Sequence, residues 1–564
     1  EQLSLLSAMA ARPAMWFVWR GGAAALLGEV QQALTADDVG ADEEAPALAL
    51  LLDVAAEIPE VMEGGEALVE ALKAAQAAGC RGVLLQLLQL AHASNTALAR
   101  ASTATRRALV DALCREAGGK DAATGKLAAQ CLATEILVPA IRERTLGNVV
   151  KILAPKATAA KAGPQQHCAL AALGALAKRT PGALDEAPRL LAQLEALLTA
   201  RQAAAGGASA ALKKARCESQ LLALKALANA AIGFCGVEKI TPERRDGGGA
   251  ASSAKSGAAA AERDCAAAGR KVAALALRLL AEGGAVGAAA DAGDDERARL
   301  RLGAACALLK LVRMRGWMQI EAYLLEDASR WHRLALVMQD DDSAVRRAFA
   351  AKLSKELQRG CSQLNQAKQH GKSGAPPHFR FARKCGLPAS YMSMFALAAV
   401  DVEKDNVVHA RQCLTSLAAA LRADAERKKK EQPQLAAKLG LEMQVQYLVH
   451  VLAHHPHFEA QLDDEQPALL PTQRCLDFFL GAVASGAEPH YDLLRRLLGL
   501  IKALPDKYAP EKRGAHVVAD VARALLEART KGARWKSMVV PDGVGLVPLL
   551  FHFGGTRFKD EDML

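Results

Sequence analysis

The chain has 564 residues, too many for one ordinary core; length alone gives roughly three or four domains, unless the chain is a repeat array that grows in one dimension. Hydrophobic residues make up 51% but aromatics only 4%, so the apolar mass is Ala and Leu, strong helix formers, and the composition predicts an all-α chain. A formal charge of +10 comes from 71 Lys+Arg interspersed with 61 Asp+Glu, which reads as solvated helix faces rather than the concentrated basic face of a nucleic-acid-binding module.

From the start, amphipathic helices follow one another. GVLLQLLQLAHA (82–93) sets Leu84, Leu87, Leu88 and His92 along one side, and RRALVDALCREA (106–117) does the same with Leu109, Leu113 and Cys114. RLLAQLEALLTA (189–200), SQLLALKALANAAI (219–232), RLGAACALLKLVR (301–313) and HYDLLRRLLGLIKAL (490–504) repeat the period, and none shows strand alternation. The joints are short and carry proline, as in KRTPGAL (178–184) and the link from Pro505 to Pro510, where the lost N–H and the ring's clash stop a helix. Helix, turn, helix over hundreds of residues predicts an α-solenoid of helix pairs, each ~40–47 residues, of the degenerate HEAT type.

Three stretches interrupt this text. Residues 240–262 and 282–295 are Gly/Ala/Ser-rich and read as mobile loops; residues 360–378 read as a polar loop. The expected organisation is helical repeats over 1–239, loops and a repeat over 240–296, repeats over 297–359, a polar loop over 360–385, repeats over 386–550 and a tail over 551–564. The chain begins EQLSLL with no Met and no basic segment, which reads as a fragment of a longer protein without a signal peptide. No apolar run reaches the ~18–20 residues that span a bilayer. Twelve cysteines, with no CxxC among them, read as reduced thiols in apolar helices.

Chemistry-bearing motifs are scarce. There is no phosphate loop, dinucleotide fingerprint, nucleophile elbow or HExxH, and no cofactor is expected. Asp340, Asp341 and Asp342 read as a turn whose Asp342 or Ser343 caps the next helix, and ERKKKE (426–431) as a solvated helix end. Cys361, His370, His378 and Cys385 lack the two close pairs of a zinc site. The densest cluster is LVHVLAHHPHF (448–458), with His450, His454, His455 and His457. His450 and His454, four apart, share a helix face, and Pro456 ends that helix at His455. A metal would need a third ligand, for which Asp463 and Asp464 are the sequence neighbours; the alternative is a helix C-terminus whose imidazoles cover the last carbonyls, and we expect no metal.

The same stretch carries a resemblance. DNVVHARQCL (405–414) followed by MQVQYLVHVLAHHPHF (443–458) resembles the sister chromatid cohesion family called precocious dissociation of sisters, whose members read close to "hARQCL" and then "YxVHxLAHxPxF". CESQLLALKALANA (217–230), RARLRLGAACALLKLVR (297–313), VRRAFAAKLSKEL (345–357) and VVADVARALLEA (517–528) are similar to family segments in the same order, and AGPQQHCALAALGALAK (162–178) extends the resemblance upstream, to about residues 162–529. The departures are the Ala/Gly-rich insertions and the lack of the family's Ala-Pro-Asp-Glu docking motif.

The resemblance implies a HEAT-repeat regulator of cohesin without enzymatic activity, acting in the nucleus. It implies binding to the kleisin subunit, chromatin association through cohesin, and cooperation with the wings-apart-like releasing factor and the cohesin acetyltransferase. No motif fixes the contacts; Arg346, Arg347, Lys502 and Lys507 are the candidate exposed partner-binding positions. A general HEAT-repeat adaptor or transport protein, and a metal-dependent enzyme using residues 450–457, are the competing readings.

Overall fold

The computed structural model describes residues 16–35, 45–62, 65–134, 136, 139–199, 209–236, 251–287, 292–313, 317–369, 387–429, 441–461, 469–484, 491–531, 546–547 and 550–551. Among them the chain is all-α, a helical-repeat solenoid in class. The sole extended pairing among described residues is an isolated antiparallel bridge between Asp506 and Phe551. The chain divides into two compact units, one of residues 1–250 with 285–296, the other of 251–284 with 297–564.

In the first unit helices stack on others near them in the chain. The Ala122–Leu132 helix packs on Arg81–Ala93, Thr103–Ala117 and Pro164–Arg179, and Pro164–Arg179 packs in turn on Pro139–Ala157 and Ala210–Gly236. Stacking of near neighbours is what a repeat array requires, because no single pair can bury its apolar stripe alone. Leu87, Leu88, Leu109 and Leu113 are buried on the stripes that periodicity predicted, with Leu84 beside them. Caps set the boundaries: Ser102 Oγ accepts from Thr105 N at 3.1 Å, and Asp121 accepts from Ala123 N and Thr124 N at 3.1 and 2.8 Å.

Small residues let two helices of this unit approach closely. A Cβ added at Gly233 would lie 2.0 Å from the Ala177 carbonyl oxygen, a backbone atom that cannot swing aside. Gly233→Ala is therefore expected to destabilise by about 1–3 kcal/mol through overpacking, which outweighs a propensity gain of about 1 kcal/mol. Gly22, also within a helix, has nothing within 4 Å of its would-be Cβ, so Gly22→Ala should leave stability unchanged or raised. Chemical denaturation of the two variants side by side checks both signs.

The second unit is organised around a twelve-residue 3-10 helix, Ala389–Val400. Residues Ser390 to Ala398 are all buried, and the segment packs on the helices Ser343–Gln369, Lys404–Lys429, Val445–Ala453 and Leu470–Ala484. An element apolar all round belongs in a core, and this one is surrounded. Asp342 caps the Ser343–Gln369 helix as expected, accepting from Ala344 N and Val345 N at 2.7 and 3.1 Å.

Two loop expectations are corrected. Residues 251–262 belong to the Ala251–Ala281 helix, since a run of alanines loses no side-chain entropy on entering a helix. Residues 360–369 complete the Ser343–Gln369 helix, whose Gln, Ala and Lys content favours it. The remainder of both stretches (240–250 and 370–378), with His370, His378 and Cys385, lies outside the described residues, as do Asp463 and Asp464.

Among the described cysteines Cys80, Cys131, Cys168, Cys217 and Cys475 are buried and unbridged. Burial pushes the thiols of Cys131 and Cys475 up to about 12, so they are protonated and inert toward thiol chemistry. No helix among the described residues is long and apolar enough to cross a membrane.

Candidate functional site

The histidine-rich stretch forms the end of one helix and the start of another. Val445–Ala453 is helical, His454 is its C-cap, and Pro456 opens the helix Pro456–Gln461, so the proline break falls where its ring chemistry demands. His450 and His454 do share a face, with ring centroids 4.6 Å apart. They do not cover the last carbonyls of their own helix. The imidazole over the His450 carbonyl belongs to His332, whose Nε2 lies 3.3 Å from it, while its Nδ1 meets the Ala328 carbonyl.

His454 instead turns to Asp506, donating from Nε2 to Oδ2 at 2.9 Å. Asp506 sits in the proline-bounded link, held by the bridge to Phe551 and by Lys507 N donating to Leu550 O at 3.0 Å. Its other oxygen accepts from Tyr508 N at 2.8 Å. Burial by itself would raise this carboxyl, but the His454 hydrogen bond, the two nearby imidazoles and the Tyr508 N–H hold it down at about 2. His450 is 1% exposed, 4.0 Å from Asp506 Oδ2, and among the described residues neither of its ring nitrogens has a hydrogen-bond partner. Burial, then the neighbouring imidazoles, press its protonation well below the ordinary histidine range, so it is neutral. His332 is likewise pressed down to about 4, chiefly by burial.

His455 and His457 leave this group. His455 Nδ1 accepts the His457 N–H at 3.2 Å, and its Nε2 donates to Gln339 Oε1 at 2.8 Å. Gln339 in turn donates to Leu397 O at 3.2 Å, so His455 ties its turn to the central 3-10 helix. His457 is exposed.

The four candidate partner positions separate sharply. Arg346 is not an exposed position: it is 9% exposed and forks onto Asp401, Nε to Oδ2 at 2.7 Å and Nη2 to Oδ1 at 2.9 Å. Its Nη1 donates to the carbonyls of Asp340 and Asp341 at 2.6 and 3.2 Å. The Asp340 carboxylate faces the other way and binds Arg301 bidentately, both contacts at 2.7 Å. Arg347, Lys502 and Lys507 are exposed, and Lys502 Nζ pairs with Asp520 at 2.6 Å across the surface.

Sequence reasoning missed Asp506 and His332, which stand 52 and 118 residues from the histidines they meet. It could have found the burial of Arg346, which precedes the buried Ala350, Leu353 and Leu357 by four, seven and eleven residues on one helix stripe.

Comparison with known proteins decides the lineage. The family model described as "Sister chromatid cohesion protein PDS5 protein" matches residues 1–552. The chain belongs to the PDS5 family. It is similar to PDS5 homolog A-B of Xenopus laevis, 28% identical over 262 residues, 46% of this chain and 17% of that protein. Human PDS5 homolog A is 27% identical over 241 residues, 42% of this chain and 16% of that protein. PDS5 homolog B-A of Xenopus laevis is 30% identical over 240 residues, 42% and 14% of the two chains. The alignments thus cover about a sixth of the curated relatives' own length. The crystal structure of an engineered protein overlays 88% of this chain and 98% of its own, at 15% identity and a TM-score of 0.25. Within this PDS5 chain the two segments that carried the resemblance, 405–414 and 443–458, lie on helices that both pack against the 3-10 helix Ala389–Val400.

Proposed function

We propose that this chain is a nuclear, cohesin-associated scaffold that binds the kleisin subunit and regulates sister chromatid cohesion, in both maintenance and release, without enzymatic chemistry of its own. The observation that carries the reading is the family match over residues 1–552. A helical-repeat surface suits the task, since it presents an extended face along which a peptide segment of a partner can lie. Cooperation with the wings-apart-like releasing factor and the cohesin acetyltransferase belongs to the same reading, with chromatin reached through cohesin.

Arg347, Lys502 and Lys507 are the proposed partner contacts. Arg346 drops out of that set because its guanidinium is spent on Asp401 and two backbone carbonyls. A pull-down of the whole chain with kleisin fragments at about 150 mM salt tests the reading, at which exposed charges still act over roughly 8 Å. Capture is expected, weakened by Arg347→Glu and Lys507→Glu without loss of helical signal. Absence of capture by the unaltered chain would sink the proposal.

A further inference from the structure

The geometry points to a divalent-cation site, suited to Zn2+, formed by His450 Nε2, His454 Nε2 and Asp506 Oδ2. One ligand atom from each of the three residues lies within 4.8 Å of the others, the two imidazoles from one helix face and the carboxylate from the link 52 residues beyond His454. His454 Nε2 is 2.9 Å and His450 Nε2 4.0 Å from the same carboxylate oxygen. A tetrahedral ion with bonds of about 2.0–2.1 Å needs its ligands about 3.3 Å apart, so the two distances to the carboxylate bracket the requirement.

An independent observation favours a ligand over a plain packed histidine. His450 is 1% exposed, yet neither ring nitrogen has a hydrogen-bond partner among the described residues. A buried polar atom aimed at a carboxylate 4.0 Å away, beyond hydrogen-bond reach, is the arrangement an intervening cation would complete. The donor set is of the right kind: two imidazoles and an ionised carboxylate suit zinc, and three protein ligands leave a fourth position. Asp506 is already aimed, because Tyr508 N and Ala509 N hold Oδ1 and present Oδ2. His454 also borders a cavity of ≈690 Å³, lined in part by His332, Asp327 and Tyr508.

Proton balance is simple. The hydrogen that His454 Nε2 donates to Asp506 moves to its Nδ1 when the ion binds, and His450 binds as the Nδ1–H tautomer. Bound this way, each ring keeps its hydrogen on Nδ1.

The test uses the whole chain, stripped with a chelator and returned to Zn2+ alone. About one retained equivalent per chain and a raised melting midpoint are expected, as is a tetrahedral absorption spectrum with Co2+ in place of Zn2+. Asp506→Asn and His454→Gln should each weaken retention by about 10–100-fold or more. His457→Ala, at an exposed neighbour, should leave it unchanged. His454 is only partly buried, so a folded His454→Gln variant, verified by circular dichroism, keeps the test open even where His450→Gln fails to fold. No retained metal with an unshifted midpoint would overturn the site and leave a metal-free histidine stack. Retention equal to the parent in the Asp506→Asn, His454→Gln double variant would overturn it as well.

Discussion

Arg346→Ala is expected to destabilise the second unit by about 3–5 kcal/mol, the cost of breaking a buried ion pair from one side. Side-chain exposure is 10% for Arg346 and 1% for Asp401, so water cannot replace the lost guanidinium. The substitution strands a carboxylate that burial would raise but that the Arg346 fork, the Glu403 N–H and Asn406 hold ionised. It also removes the donor to two carbonyls of the Asp340–Asp342 turn, the turn that caps the Ser343–Gln369 helix. The loss is thus a helix start as well as a charge pair. Replacing Arg346 with Met and Asp401 with Leu together should recover most of the stability, since the pair's worth is mainly the penalty of leaving one charge alone. Arg347→Ala, one residue on, should change stability by less than about 0.5 kcal/mol, as exposed substitutions do. Urea denaturation of the three variants checks the order; an Arg346→Ala midpoint equal to that of Arg347→Ala would refute the clamp.

The second large effect concerns pH. Glu321 lies 7% exposed in the Trp317–Leu325 helix, its carboxyl accepting a hydrogen bond from Ser390 Oγ at 3.0 Å. Burial raises its carboxyl from 4.5 to about 7, against a small opposing pull from Ser390. The sign follows from linkage. Below pH 4.5 the group is protonated folded or unfolded and costs nothing; as pH rises from there through 7 the unfolded chain gains an ionised carboxylate that the fold resists, and stability falls. At about 1.4 kcal/mol per pH unit the loss by pH 8 is about 3 kcal/mol. The buried histidines act in the opposite direction and in a lower window. His332 and His455, both pressed to about 4, contribute stability above 6.5 that is lost as pH falls toward 4. Comparison of Glu321→Gln with the parent isolates the carboxyl. The two should melt alike at pH 4, and the variant should be the more stable by up to about 3 kcal/mol at pH 8. Parallel curves across that range would show that Glu321 ionises freely in the fold.

Legibility from sequence followed the range of the interactions. Helix boundaries depend on neighbours within a turn, so Pro456, the Asp342 cap and the Leu84–Leu87–Leu88 stripe could all be read directly. The tie of His455 to Gln339, the meeting of His454 with Asp506 and the fork of Arg346 on Asp401 join residues 116, 52 and 55 positions apart, and no local period encodes them. Arg346 and Arg347 look alike as a pair of adjacent cations; only the phase of the whole helix separates the buried one from the exposed one. The Ala251 and Cys361 stretches failed for another reason. Small or polar composition reads locally as loop, although alanine and glutamine favour helix when a neighbouring helix is there to extend.

The 3-10 helix Ala389–Val400 has a consequence for reach. At about 2.0 Å per residue, against about 1.5 Å for an α-helix, twelve residues extend about 24 Å instead of about 18 Å. That added length works like a stretched axle: one short buried segment touches the helices bearing 405–414 and 443–458 and the Ser343–Gln369 helix as well. Tightening it by rewinding to α geometry would draw its end in by about 6 Å and pull Asp401, the residue that follows it, off the Arg346 fork.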